Sequence, residues 1–196
     1  DLRRSPAELR VEAMKAKAAI ASIMVVVAVG ALAACSQGEA PAPAEASAQA
    51  WVRKKVVLYL PDRVMKERVA VADLSPYLAA VDEAVADAAE AQPIQPGASG
   101  MMLLMVKPGE RSRAWVVTGE PAMKPDVVAA LTAAAGAVPA PSVRQGPILV
   151  GLQFDAWGGG AQPEGAVAPI PRDWYAHFSE DGGVLDDDLM AKVWPD

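Results

Sequence analysis

The chain has 196 residues, with 18 Lys+Arg against 24 Asp+Glu and a formal net charge of −6. It holds one cysteine and one histidine, which excludes a disulfide framework and the usual histidine-paired zinc sites. The acidic balance argues against a general nucleic-acid binder, because phosphate contacts need a basic field.

In chain order, residues 1–13 carry Arg3, Arg4, Glu8, Arg10 and Glu12. They fit no targeting segment and are expected to be an upstream extension ahead of Met14. Residues 14–34 have the order of a secretory signal: Lys15 and Lys17, then an uncharged run from Ala18 to Ala34, then small residues. That run is 17 residues, short of the ~20 that span a bilayer core. A cleaved signal is therefore expected over an uncleaved transmembrane anchor.

The run ends in Leu32-Ala33-Ala34-Cys35, which resembles the lipobox of bacterial lipoprotein precursors. The resemblance implies cleavage between Ala34 and Cys35, thioether attachment of diacylglycerol to Cys35 and acylation of the new amino terminus, for instance by palmitate. It also implies a membrane contact through that lipid. Ser36 is not the aspartate that tends to retain such lipoproteins at the inner membrane, so the outer membrane, facing the periplasm, is expected over the inner. With Cys35 committed to lipid, no thiol remains for redox or catalysis. Without the first 34 residues the balance is 13 basic against 21 acidic residues, net −8.

Residues 35–52 read as an Ala/Pro-rich tether with nothing apolar to bury. An α+β domain is expected over 53–160. Val56 to Leu60 is the first strand candidate, and Val69-Ala70-Val71 a short stretch that could hairpin with it. Ser75-Pro76 signals a helix start, and Leu78, Val81 and Val85 keep helical period to Ala91. Met101 to Val106, an unbroken apolar run, reads as a buried strand and its methionines as core. The turn Pro108 to Arg113 leads to Ala114–Val117, a hairpin. Pro125-Asp126 opens a second helix, and Ile148 to Phe154 is the last strand. This βαββαβ order is the split βαβ pattern, an antiparallel sheet with helices on one face. Residues 161–196 read as an acidic, irregular segment with a short helix near Asp187 to Val193, pinned by Trp174, Tyr175, Phe178 and Trp194.

Two family likenesses attach to this pattern. The order is ferredoxin-like, and the hairpin, following helix and last strand resemble the C-terminal domain of TonB-type proteins. Gly100 to Val106, Trp115 to Gly119, residues 126–135 and the strand before Trp157 carry the second likeness. The turn Pro108-Gly109-Glu110 departs from that family's Asp/Asn-Gly, and its long charged spacer is absent. A role as a TonB-like component of envelope transport is what this likeness implies.

Chemistry-bearing residues are sparse. His177 stands near Ser179, Glu180 and Asp181, so a periplasmic hydrolase using it is the rival to a non-catalytic domain; a tail histidine among packing aromatics is the preferred reading. Glu180-Asp181-Gly182-Gly183 with Asp186, Asp187 and Asp188 lacks the spacing of a calcium loop, and no metal site is expected. Gly158-Gly159-Gly160 lacks a phosphate-cradle pattern, and no cofactor is expected. Arg53, Lys54, Lys55, Arg63, Lys66 and Arg68 form a basic cluster beside Trp51, suited to anionic headgroups or to guarding a strand edge. The sequence leads to a lipid-anchored envelope protein with a small, non-catalytic binding or scaffolding domain, its partner another envelope protein met at a sheet edge.

Overall fold

The computed structural model describes residues 49–163, 168–178 and 185–196. Its elements are β1 (Val52–Leu58), α1 (Asp62–Arg68), α2 (Val71–Glu90), β2 (Ala98–Lys107), β3 (Arg111–Thr118), α3 (Pro125–Ala137), β4 (Ile148–Ala156), a 3-10 turn (Arg172–His177) and α4 (Asp187–Val193). The four strands form one sheet in the order β1-β4-β2-β3, and every neighbouring pair is antiparallel. The fold is α+β, as the sequence order implies.

Both crossovers are split. β1 and β2 run the same way with β4 between them, and β3 and β4 run the same way with β2 between them. The central strands are thus β4 and β2, whereas the ferredoxin-like variant of this motif keeps its first and third strands inside. The difference leaves β1 at an edge.

The central strands are the most apolar. β2 is buried along its whole length, and Met101, Met102, Leu103, Leu104 and Met105 are each at most 2% exposed. A strand buried on both faces needs a cover on both, which is why its sequence is a continuous apolar run rather than an alternation. On one face, Met102, Leu104, Leu152 and Phe154 meet α2 and α3, which pack against each other. Val81, Val85 and Ala89 of α2 and Val127, Leu131 and Ala135 of α3 supply their buried stripes.

The opposite face is covered by the C-terminal segment. Trp115 of β3 meets Trp174 edge-on, with ring centroids 5.2 Å apart, and Trp194 at 6.3 Å. Tyr59 donates its hydroxyl hydrogen to the Pro169 carbonyl at 2.6 Å. Trp174 is 1% exposed and Met190 fully buried, whereas Tyr175 is 57% exposed and pins nothing. Residues 168–178 and 185–196 are thus pinned onto the sheet as a second cover layer.

Three local expectations need correction. Val69 to Val71 forms no strand: α1 occupies 62–68, backed by the i,i+4 pairs Arg63–Glu67 and Lys66–Asp62. Helix α2 begins at Val71 rather than at Ser75, because Asp73 and Leu74 already donate to the Ala70 carbonyl. Pro76 then lies inside the helix and forfeits the bond to Ala72. Burial of Tyr77, Leu78 and Val81 outweighs that loss. Trp51 and Val52, assigned to the tether, belong to the domain. The Trp51 ring stacks on Phe154 at 4.2 Å, and its indole N–H donates to Asp82 of α2 at 2.9 Å.

The β2–β3 turn and the start of α3 follow their residue chemistry. Lys107 pairs with Arg111 across Pro108-Gly109-Glu110, where Gly109 and Glu110 take positive φ of 85° and 57°. Pro125 sits at the first turn of α3, where its missing N–H has no partner to lose.

Candidate interaction edge

Strand β1 is the thinnest part of the sheet. It is bonded only to β4, and Arg53, Lys54, Lys55, Val56 and Leu58 are all exposed. Val56 is 43% and Leu58 45% exposed, two aliphatic neighbours on one face of the strand. The Tyr59 N–H donates to the Leu149 carbonyl at 3.2 Å, which fixes the alternation of the β1–β4 ladder. In an antiparallel pair, residues bonded to the neighbour alternate with residues whose N–H and C=O point away. Lys55, Val57 and Tyr59 therefore face β4, and the backbone groups of Val56 and Leu58 point outward. The two exposed aliphatic residues are the two with outward-facing donors and acceptors.

The bases beside this edge are largely engaged. Arg53 lies 3.5 Å from Asp82, Lys54 2.9 Å from Asp155, and Arg68 2.7 Å from Asp187. Arg63 and Lys66 bond within α1. A bulge between Arg53 and Lys55 sets Lys54 out of the ladder and toward Asp155. The cluster is thus a set of separate ion pairs around one end of the edge rather than a continuous cationic field.

Ala34 and Cys35, with the whole signal and most of the tether, lie outside the described residues. His177 is exposed at the end of the 3-10 turn, while Ser179, Glu180 and Asp181 lie outside the described residues. Within the acidic run, Asp186 caps α4 by accepting from the Leu189 N–H at 2.9 Å, and Asp187 takes both Arg68 nitrogens at 2.7 Å. The glycine run makes a tight exit from β4, with Gly158 and Gly159 at positive φ. Among the described residues, no cluster of three or more His, Cys, Asp or Glu could hold a metal ion. No helix among them is long and apolar enough to cross a membrane.

One polar cluster is not legible in the sequence. Ser99 and Asp155 are 56 residues apart, yet the Ser99 hydroxyl donates to Asp155 Oδ1 at 2.5 Å and accepts from the Gly160 N–H at 2.9 Å. Burial alone would raise the Asp155 pKa, but the Ser99 hydroxyl and the Lys54 ammonium together hold it below the ordinary value. Ser99 is 2% exposed, so the network fastens the glycine exit to β2 and offers no nucleophile to solvent. A second cluster ties the end of the C-terminal segment to the hairpin. Lys107 donates to the Trp194 carbonyl and to Asp196, and Arg111 donates to Asp196 at 2.7 Å. Those two cations, Arg111 foremost, hold Asp196 below the usual carboxylate range.

A crevice between the end of β3 and the C-terminal cover has a volume near 340 Å³ and is lined by Gly119, Glu120, Gln162, Ile170, Arg172 and Tyr175, among others. No family model, curated protein or solved structure matches this chain.

Proposed function

We propose that the protein is a lipid-anchored component of the bacterial cell envelope whose α+β domain binds another envelope protein and does not catalyse a reaction. The observation that carries the binding role is the β1 edge, where Val56 and Leu58 expose both their side chains and their backbone groups. Such an edge accepts an added strand: main-chain bonds supply affinity and the alternate side chains supply selectivity. The polar clusters support the non-catalytic half of the reading, because Ser99, Asp155, Lys107 and Asp187 each hold segments of the fold together.

The location rests on Leu32-Ala33-Ala34-Cys35 behind the uncharged run 18–34. Intact-mass measurement of protein purified from membranes tests it. A chain beginning at acylated Cys35 is expected, and retention of residues 14–34 would sink the lipoprotein reading. The binding role is tested by crosslinking in the native envelope, comparing wild type with Leu58→Lys. Adducts present in wild type and lost in the variant are expected. A hydrolytic activity abolished by His177→Ala would overturn the non-catalytic reading.

A further inference from the structure

We infer that the strand added at β1 is β1 of a second copy of this chain, the two related by a twofold axis at Val57. The inference rests on the reading of β1 as the interaction edge and names its occupant.

The register follows from which groups are free. In an antiparallel pairing, the bonded positions must join outward-facing residues of both strands. The outward pair Val56 and Leu58 then meets its own image crosswise, Val56 against Leu58 of the second copy and Leu58 against Val56. That exchange makes four main-chain hydrogen bonds from groups that have no strand neighbour among the described residues. It also gathers four half-exposed aliphatic side chains on one face, because Val56 and Leu58 point the same way.

Charge and the pairing of the two aliphatic residues together select this axis. With the axis at Val57, Lys55 stands opposite Tyr59, Lys54 opposite Leu60 and Arg53 opposite Pro61, so no cation faces a cation. An axis at Lys55 would set two ammonium groups face to face, which is unfavourable directly across a ladder. An axis at Tyr59 runs into Pro61 and α1, where the strand has ended. An axis at Val56 sets Leu58 against the bulged Lys54, and one at Leu58 sets Val56 against Leu60 beyond the strand; the axis at Val57 pairs both outward aliphatic residues and parts the bases. The contact is small against the ~1,600 Å² of a standard interface. It therefore suits molecules held side by side on a membrane, where a tether raises their effective concentration.

Cysteine trapping in native membranes, on the full chain with Cys35 retained, tests the pairing; with Cys35 held in thioether linkage to lipid, the introduced cysteine is the free thiol. Val57 would face its own image in a non-hydrogen-bonded pair, with Cβ atoms about 4.5–5.5 Å apart. Lys55 would lie four residues from its image along the strand, roughly 13 Å away. Mild oxidation of the Val57→Cys variant should give on the order of tenfold more disulfide-linked dimer than the Lys55→Cys variant. Adding Leu58→Lys should remove the difference, with circular dichroism confirming that each variant is folded. Equal trapping at both positions, or none at Val57, overturns the inference. If trapping fails while Leu58→Lys still removes envelope adducts, the second copy falls and the interaction edge stands.

Discussion

Asp155 shows how a single carboxylate can fasten two segments. It receives the Ser99 hydroxyl and the Lys54 ammonium, and Ser99 in turn holds the Gly160 amide. Asp155→Asn is expected to cost about 1.5–3 kcal/mol in denaturant unfolding at pH 7, the usual range for a hydrogen bond to a charged group. Because the folded carboxyl sits below its ordinary value of 3.8, this stabilisation is present at neutral pH and drains away as acid carries the pH down through the folded pKa. The gap between wild type and variant should narrow in unfolding curves taken from pH 7 to pH 3; a constant gap would deny the charge its part. Tyr77 offers the opposite case. Its hydroxyl is buried beside Ser112 without a well-formed hydrogen bond, so Tyr77→Phe should leave the melting temperature unchanged or raise it.

Glycine at 100 is required by a close approach. A Cβ there would run into the Val117 carbonyl and lie 3.1 Å from the Phe154 ring. Gly100→Ala should therefore destabilise by roughly 1–3 kcal/mol, the range for overpacking, read as a lower urea midpoint at unchanged slope.

Among the elements, the C-terminal cover is the least autonomous. Its 3-10 turn and α4 have six and seven residues, too short to hold as isolated helices. They are ordered by what they bury: Trp174 against Trp115, and Met190 in the same core. Trp174→Ala should cost about 3–5 kcal/mol and raise proteolytic cleavage within residues 161–196 while sparing β2 and β4. Equal loss of protection across the whole domain would show instead that cover and sheet unfold as one unit. Helix α2 makes the complementary point. Its 20 residues tolerate Pro76 because the stripe Leu78, Val81 and Val85 is buried against a sheet that local propensity cannot see.

On the scale of the molecule, the sheet has two covers and two unlike edges. β3 is flanked by α3 and carries Trp115 under the C-terminal segment. β1 touches α2 through Arg53–Asp82 and the C-terminal segment through the adjoining Tyr59, but its exposed aliphatic residues face solvent beside paired bases. Lysine and arginine on an edge commonly discourage indiscriminate pairing. Here they are confined to residues 53–55, so Val56 to Leu58 remains open to a strand that matches it.

Much of this architecture is legible in the residues. The apolar run Met101 to Val106, the Pro125-Asp126 start and the short helix at Asp187 to Val193 are local statements. Each is fixed by composition, by φ at proline or by a capping carboxylate, and each is found. The proposed lipobox ending at Cys35 rests on local sequence alone. What needed the tertiary structure was every relation between distant residues: β4 entering between β1 and β2, Ser99 meeting Asp155, and Trp51 joining the core. The cover of the second face and the openness of β1 belong with these. Strand order follows from which faces must be buried together, and no short window of sequence carries that sum. The edge that defines the proposed partner is thus set by the packing, while the proposed anchor that would bring partners together is written in the chain.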